Sequence, residues 1–144
     1  MRSSHFKILA LLLSALPSLT HAEADKPKTP LGEQMSAMNK SLRTLRRQFN
    51  DPAQKEASLG LVVSMEGSAG KAKALVPQKA KEVPEKDREQ FIAAYQKKID
   101  ELLENFHKLE AAIREGNNDE AKSLMDRAQD LKRKGHEQFT AEHE

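Results

Sequence analysis

The chain contains no cysteine and no tryptophan. Without cysteine there can be no disulfide, no thiolate metal site and no thiol nucleophile. The fold must then be held by its core alone. Aromatic residues are scarce, at 4%, so that core is of the Leu/Ala/Met type. The one long apolar run, "ILALLLSALPSL", lies at the N-terminus. It spans about twelve residues, well short of the ~20 needed to cross a bilayer as a helix. Arg2 and Lys7 precede it and the small-residue stretch "THA" follows it. These are the three parts of a secretory signal peptide, so residues 1–22 are expected to be cleaved after Ala22. A cut after Ala24 would also satisfy the pattern. No membrane span is expected once the leader is gone.

A surplus of charge of one sign is missing too. The chain has 24 Lys+Arg against 22 Asp+Glu. The leader carries two of the basic residues and no acidic one, which leaves 22 of each. A neutral chain does not point to nucleic acid as a partner. The local clusters "LRTLRRQ" and "LKRKGH" read as solvated helix faces. Phosphate-binding loops, Ser/His/Asp sets and paired buried carboxylates are absent from the sequence, so an enzyme is not expected. A di-iron carboxylate bundle needs Glu-x-x-His on two helices and a Glu on each of two others. Only one such pair occurs, Glu104 to His107, and His107 falls off the apolar stripe toward solvent. The terminal "HEQFTAEHE" reads as a frayed charged tail.

What remains is helical periodicity over about 122 residues, a length that suits one domain. "EADKPKTP" (23–30) is a polar lead-in. From there Leu31, Met35, Met38, Leu42, Leu45 and Phe49 recur every three or four residues, the spacing of one helix face laid on a bundle. "NDP" closes this helix, since the residue before Pro disfavours helix. A second helix is expected over about Ala53–Val76, with Leu59, Val62, Met65, Ala69, Ala72 and Val76 on its stripe; Gly60, Gly67 and Gly70 weaken the pattern. A Pro-bounded linker follows (77–87). The third helix carries Phe91, Tyr95, Ile99, Leu102, Phe106, Leu109 and Ile113 and stops at "EGNN". The fourth starts with Asn118 or Asp119 as N-cap and carries Ala121, Leu124, Met125, Ala128, Leu131, Gly135 and Phe139. No strand pattern competes. Four helices with short connections predict an all-α, antiparallel, up-down-up-down four-helix bundle.

That topology puts the start of the first helix and the end of the fourth side by side. At ~1.5 Å rise per residue, Met35 and His136 each lie within about 10 Å of the shared end. A thioether and an imidazole then face each other across it. Such a pair on opposite sides of a haem saturates the iron, leaves one-electron transfer as its chemistry, and gives a higher potential than two His. The second imidazole nitrogen would need a carbonyl or carboxylate acceptor. Gly135 costs roughly 1 kcal/mol against Ala in a helix and would leave room for a porphyrin edge. From position alone, a His near a helix end is more often a surface residue, and a Met on an apolar stripe is more often packing.

The stretches "LGEQMSAMNKSL" (Leu31–Leu42), "EGNNDEA" (Glu115–Ala121) and "HEQF" (His136–Phe139) resemble the soluble periplasmic cytochrome b562 family. That family is a standard example of the up-down-up-down bundle, so the topology is not independent of the resemblance. The resemblance implies a periplasmic electron carrier with one haem b per chain, bound non-covalently. It implies Met35 and His136 as axial ligands, with Leu31, Met38, Asn39 and Leu42 keeping the pattern around Met35. It further implies that Met65 and Tyr95 line the haem pocket, and Lys132 would reach a haem propionate. Relatives with covalent haem carry two Cys before the ligand His; Lys132 and Gly135 stand at those positions here. Gly135 also replaces a larger side chain. The partners implied are redox proteins of unknown identity, and a monomer is expected. The competing reading is a haemless exported bundle that binds other proteins or acts under stress.

Overall fold

A computed structural model describes residues 29–140. The expected signal peptide, most of the lead-in and residues 141–144 of the expected frayed tail lie outside the described residues; the start of that tail, His136–Phe139, is not frayed but the last turn of a helix. The described residues form four helices and no strand: α1 (Pro30–Gln48), α2 (Lys55–Lys73), α3 (Glu85–Glu115) and α4 (Asn118–Phe139). Short 3-10 turns, Pro52–Gln54 and Gln78–Lys81, precede α2 and α3.

The helix ends follow from capping chemistry. α1 starts one residue earlier than its apolar stripe, because Thr29 is its N-cap and Pro30 fills the first helical position. The Thr29 hydroxyl accepts from the Gly32 N–H at 2.9 Å. A Cβ on residue 32 would lie 3.1 Å from that hydroxyl, which explains the glycine. α3 ends at Gly116, whose φ of 72° is open to glycine at no steric cost. The Asn117 N–H then reaches back to the Ala112 carbonyl at 2.9 Å, the six-to-one bond of a Schellman end. The N-cap of α4 is Asn117, not Asn118 or Asp119: its side chain accepts from the Glu120 N–H at 3.2 Å. The whole αα-turn is thereby one residue tighter than the sequence suggests.

Two further expectations are corrected. Val76 is not on the core stripe; it is 57% exposed. α2 has already ended at Lys73, since Val76 precedes Pro77 and the proline ring disfavours helix there. Pro77 itself is buried in its place. The expected linker 77–87 is partly ordered, with a 3-10 turn and then the start of α3 at Glu85. α2 runs unbroken past its three glycines.

α1 packs on α2, α2 on α3, and α3 on α4. The end of α1 meets the start of α2 through Gln48 and Ser58. The start of α2 meets the end of α3, where the Lys55 ammonium donates to the Arg114 carbonyl. Leu45, Val62, Met65 and Leu109 are shut off from solvent and Phe106 nearly so; full burial of such side chains stabilises by about 1.5–3 kcal/mol each. Asn105 is buried between α3 and α4 and donates to the Leu124 carbonyl at 2.9 Å. Tyr95 ties α3 to the end of α2, its hydroxyl donating to the Ala72 carbonyl at 2.6 Å. Phe139 packs edge-on against Phe91 and Tyr95, with ring centroids 5.3 and 5.5 Å apart.

Two consequences can be measured. Burial pushes the Tyr95 hydroxyl up to about 12. Because the folded value exceeds the unfolded value of about 10, the stability this group contributes is complete below pH ~10 and is lost as pH rises toward ~12. Tyr95 is the single tyrosine and there is no tryptophan, so an ultraviolet absorbance titration reads it alone. We expect a midpoint well above 10 in the native protein and near 10 in denaturant; equal midpoints would show an open hydroxyl. Replacing Phe139 by Ala should cost about 3 kcal/mol in denaturant unfolding, as for other buried Phe. A loss below ~1 kcal/mol would mean that the end of α4 is held by something else.

Candidate functional site

α1 and α4 scarcely touch. They are clasped at one point, where the Arg46 guanidinium donates to the Met125 carbonyl at 2.9 Å and to Asp126 Oδ1 at 2.8 Å. Beyond this clasp the two helices leave a cleft of about 1120 Å³. Ligand sites commonly hold about 300–1,000 Å³, so this one takes a large ligand. Its floor is α3, with Tyr95, Ile99, Leu102 and Phe106; its walls are α1 as far as Leu42 and α4 from Asp126 onward.

The packing of each wall shows where the core stops. On α1 the buried residues are Met38, Leu42 and Leu45, while Leu31 and Met35 are only half-buried. On α4 they are Ala121, Leu124, Met125 and Ala128, and then nothing until Phe139. Leu131, Lys132 and Gly135 are half-buried and His136 is exposed. The same stripe therefore serves as core at one end of the bundle and as cleft wall at the other.

Seven of the eight residues singled out from the sequence line this cleft: Met35, Met38, Asn39, Tyr95, Lys132, Gly135 and His136. Met35 and His136 stand on its opposite walls, α1 and α4. Met65 does not join them. It is completely buried on α2 and is not among the cleft-lining residues, because α2 packs between α1 and α3. Lys132 makes no ion pair among the described residues, whereas Arg133 pairs with Asp130 and Glu137, and Lys134 with Asp130. A side chain on residue 135 would meet no protein atom within 4 Å. Packing within the chain does not demand that glycine.

The second nitrogen of His136 has a partner, but neither a carbonyl nor a carboxylate. Nδ1 lies 3.0 Å from the Thr140 hydroxyl. Thr140 went unnoticed in the sequence; the His-x-x-x-Thr spacing, one helical turn, was the available signal. Away from the cleft, His107 is exposed and faces the Glu66 carboxylate at 3.7 Å. Burial raises the Glu66 carboxyl, His107 lowers it, and Glu110 raises it further. No group of three His, Asp or Glu that could hold a bare metal ion occurs among the described residues.

The site thus offers a thioether, an imidazole with one nitrogen engaged, a free ammonium and an apolar floor. Soft and imidazole donors on facing walls suit a haem iron rather than a hard cation. Comparison with curated proteins and with solved structures gives no significant match. The family model of cytochrome b562 matches residues 30–140, which takes in all four helices and the whole cleft. The chain belongs to the cytochrome b562 family, a family of haem-binding electron-transfer proteins.

Proposed function

We propose that the protein is a periplasmic electron carrier. It binds one haem b non-covalently between α1 and α4 of an antiparallel up-down-up-down bundle, with Met35 and His136 as axial ligands. One observation carries this reading: Met35 and His136 stand on opposite walls of one large apolar cleft, between two helices that otherwise fail to pack. Export by the leader 1–22 is part of the proposal. That Val63 and Val76 are the large exposed hydrophobics of the described residues supports a monomer with no second apolar face to cover.

A haem held by Met35 and His136 would supply one-electron chemistry. The residues of the chain do the rest. Met35 offers a soft sulfur from a half-buried position on α1. His136 offers its remaining nitrogen from α4. Leu31, Leu102, Phe106 and Leu131, which line the cleft, would exclude water from a bound haem and stabilise it by apolar burial. Lys132 has no carboxylate partner among the described residues and lines the cleft, so its ammonium would pair with a propionate. With no cysteine in the chain, ligation and packing alone retain the haem. Held by both Met35 and His136, the iron would carry electrons rather than bind a substrate, in keeping with a carrier rather than an enzyme.

The direct test is an absorption spectrum of the exported protein, oxidised and reduced, beside Met35→Ala and His136→Ala. We expect sharp low-spin bands in the wild type, with both variants losing the haem or turning high-spin. A folded, colourless protein that takes up no added haem would overturn the reading in favour of a protein-binding bundle. Gly135→Ala adds a test with two signs. The haem-free chain should gain up to ~1 kcal/mol, as Ala exceeds Gly in a helix. Haem affinity should fall, because the new methyl points into the space given to the porphyrin edge. Unchanged affinity would remove that role from Gly135.

A further inference from the structure

His136 is exposed and sits in the last turn of α4. A neutral imidazole in such a place exchanges freely between two tautomers. Only the one protonated on Nδ1 leaves the Nε2 lone pair free for iron, and solvation alone favours the other. Thr140 gives Nδ1 a hydroxyl partner that can accept its N–H. Its backbone leaves the helix, at φ −92° and ψ 138°, yet its N–H still donates to the His136 carbonyl at 3.0 Å. That bond holds the hydroxyl 3.0 Å from Nδ1. Phe139, buried between the two residues in sequence, anchors the same turn to α3. Thr140 also lines the cleft. The carboxylate next to His136 in the chain, Glu137, is held by Arg133.

We propose that Thr140 is a positioning residue for His136: its hydroxyl accepts the Nδ1–H and so presents Nε2 to the cleft before any ligand arrives. This rests on the reading of His136 as an iron ligand. Outer partners of ligating imidazoles act in this way in general, fixing tautomer and ring orientation. The distinctive point is that a hydroxyl just past the helix end does it here, with no carboxylate paired to His136 among the described residues.

The test has one readout that needs no haem. Imidazole nitrogen chemical shifts are measured in the haem-free protein at a pH where His136 is neutral, its signals assigned by their loss in His136→Gln. Wild type and Thr140→Ser should show the Nδ1–H tautomer; Thr140→Val should shift toward Nε2–H. Haem titration should then give a dissociation constant about 10-fold higher for Thr140→Val, with Thr140→Ser close to wild type. If Thr140→Val matches wild type in tautomer and in affinity, the positioning role falls while the haem reading stands. If the wild type binds no haem, both fall, whatever the tautomer.

Discussion

The wall that carries His136 depends on one aromatic cluster, Phe139 with Phe91 and Tyr95. From Leu131 to Gln138, α4 has no buried residue, because that stretch borders the cleft instead of a neighbouring helix. A helix end with no buried face would fray. Phe139 prevents this by packing edge-on against Phe91 and Tyr95 of α3. Tyr95 is in turn tied to the end of α2 through the Ala72 carbonyl. The turn that carries His136 is therefore anchored by way of α3 and α2, without help from α1. The opposite wall has its own anchor: the Thr29 cap and the packing of α1 on α2. Each wall stands independently, and the space between them can stay open.

The sequence shows the four stripes and the family resemblance, and from these the helices and seven cleft residues could be read. It does not show which end of the bundle is packed. Leu31 and Met35 continue the stripe of Leu42 and Leu45 without a change of spacing, and Leu131 and Gly135 continue that of Leu124 and Ala128. Periodicity reports which face turns inward, not whether a protein atom or a ligand fills the space it faces. Met65 fails for a related reason. It sits on the inward face of α2, but inward from α2 means the core shared with α1 and α3, where it is fully buried.

The errors at element ends have a different origin. Asn117, Asn118 and Asp119 are all competent N-caps, and only the Schellman geometry set by Gly116 decides which one lands at the cap. Val76 fits the spacing of α2, but Pro77 removes the helix beneath it. Thr140 lies beyond the periodic pattern altogether, since its backbone has left the helix. In each case one local bond or ring decides, and a stripe of apolar residues carries no record of it.

An open end has a thermodynamic consequence. Half-buried Leu31, Met35 and Leu131 contribute less than they would in a closed core, so the haem-free bundle draws its stability mainly from the end holding Leu42, Leu45, Leu59, Leu109 and Ile113. A ligand that binds only the folded chain restores the deficit by mass action, adding RT ln(1 + [L]/Kd). In a chain without cysteine, a ligand bound at the open end would add to the stability of the folded bundle in this way. The apolar surface left half-buried at the open end is surface that the proposed haem would cover, while the packed end and the separately anchored walls let the chain leave so large a cleft between its first and last helices and still fold.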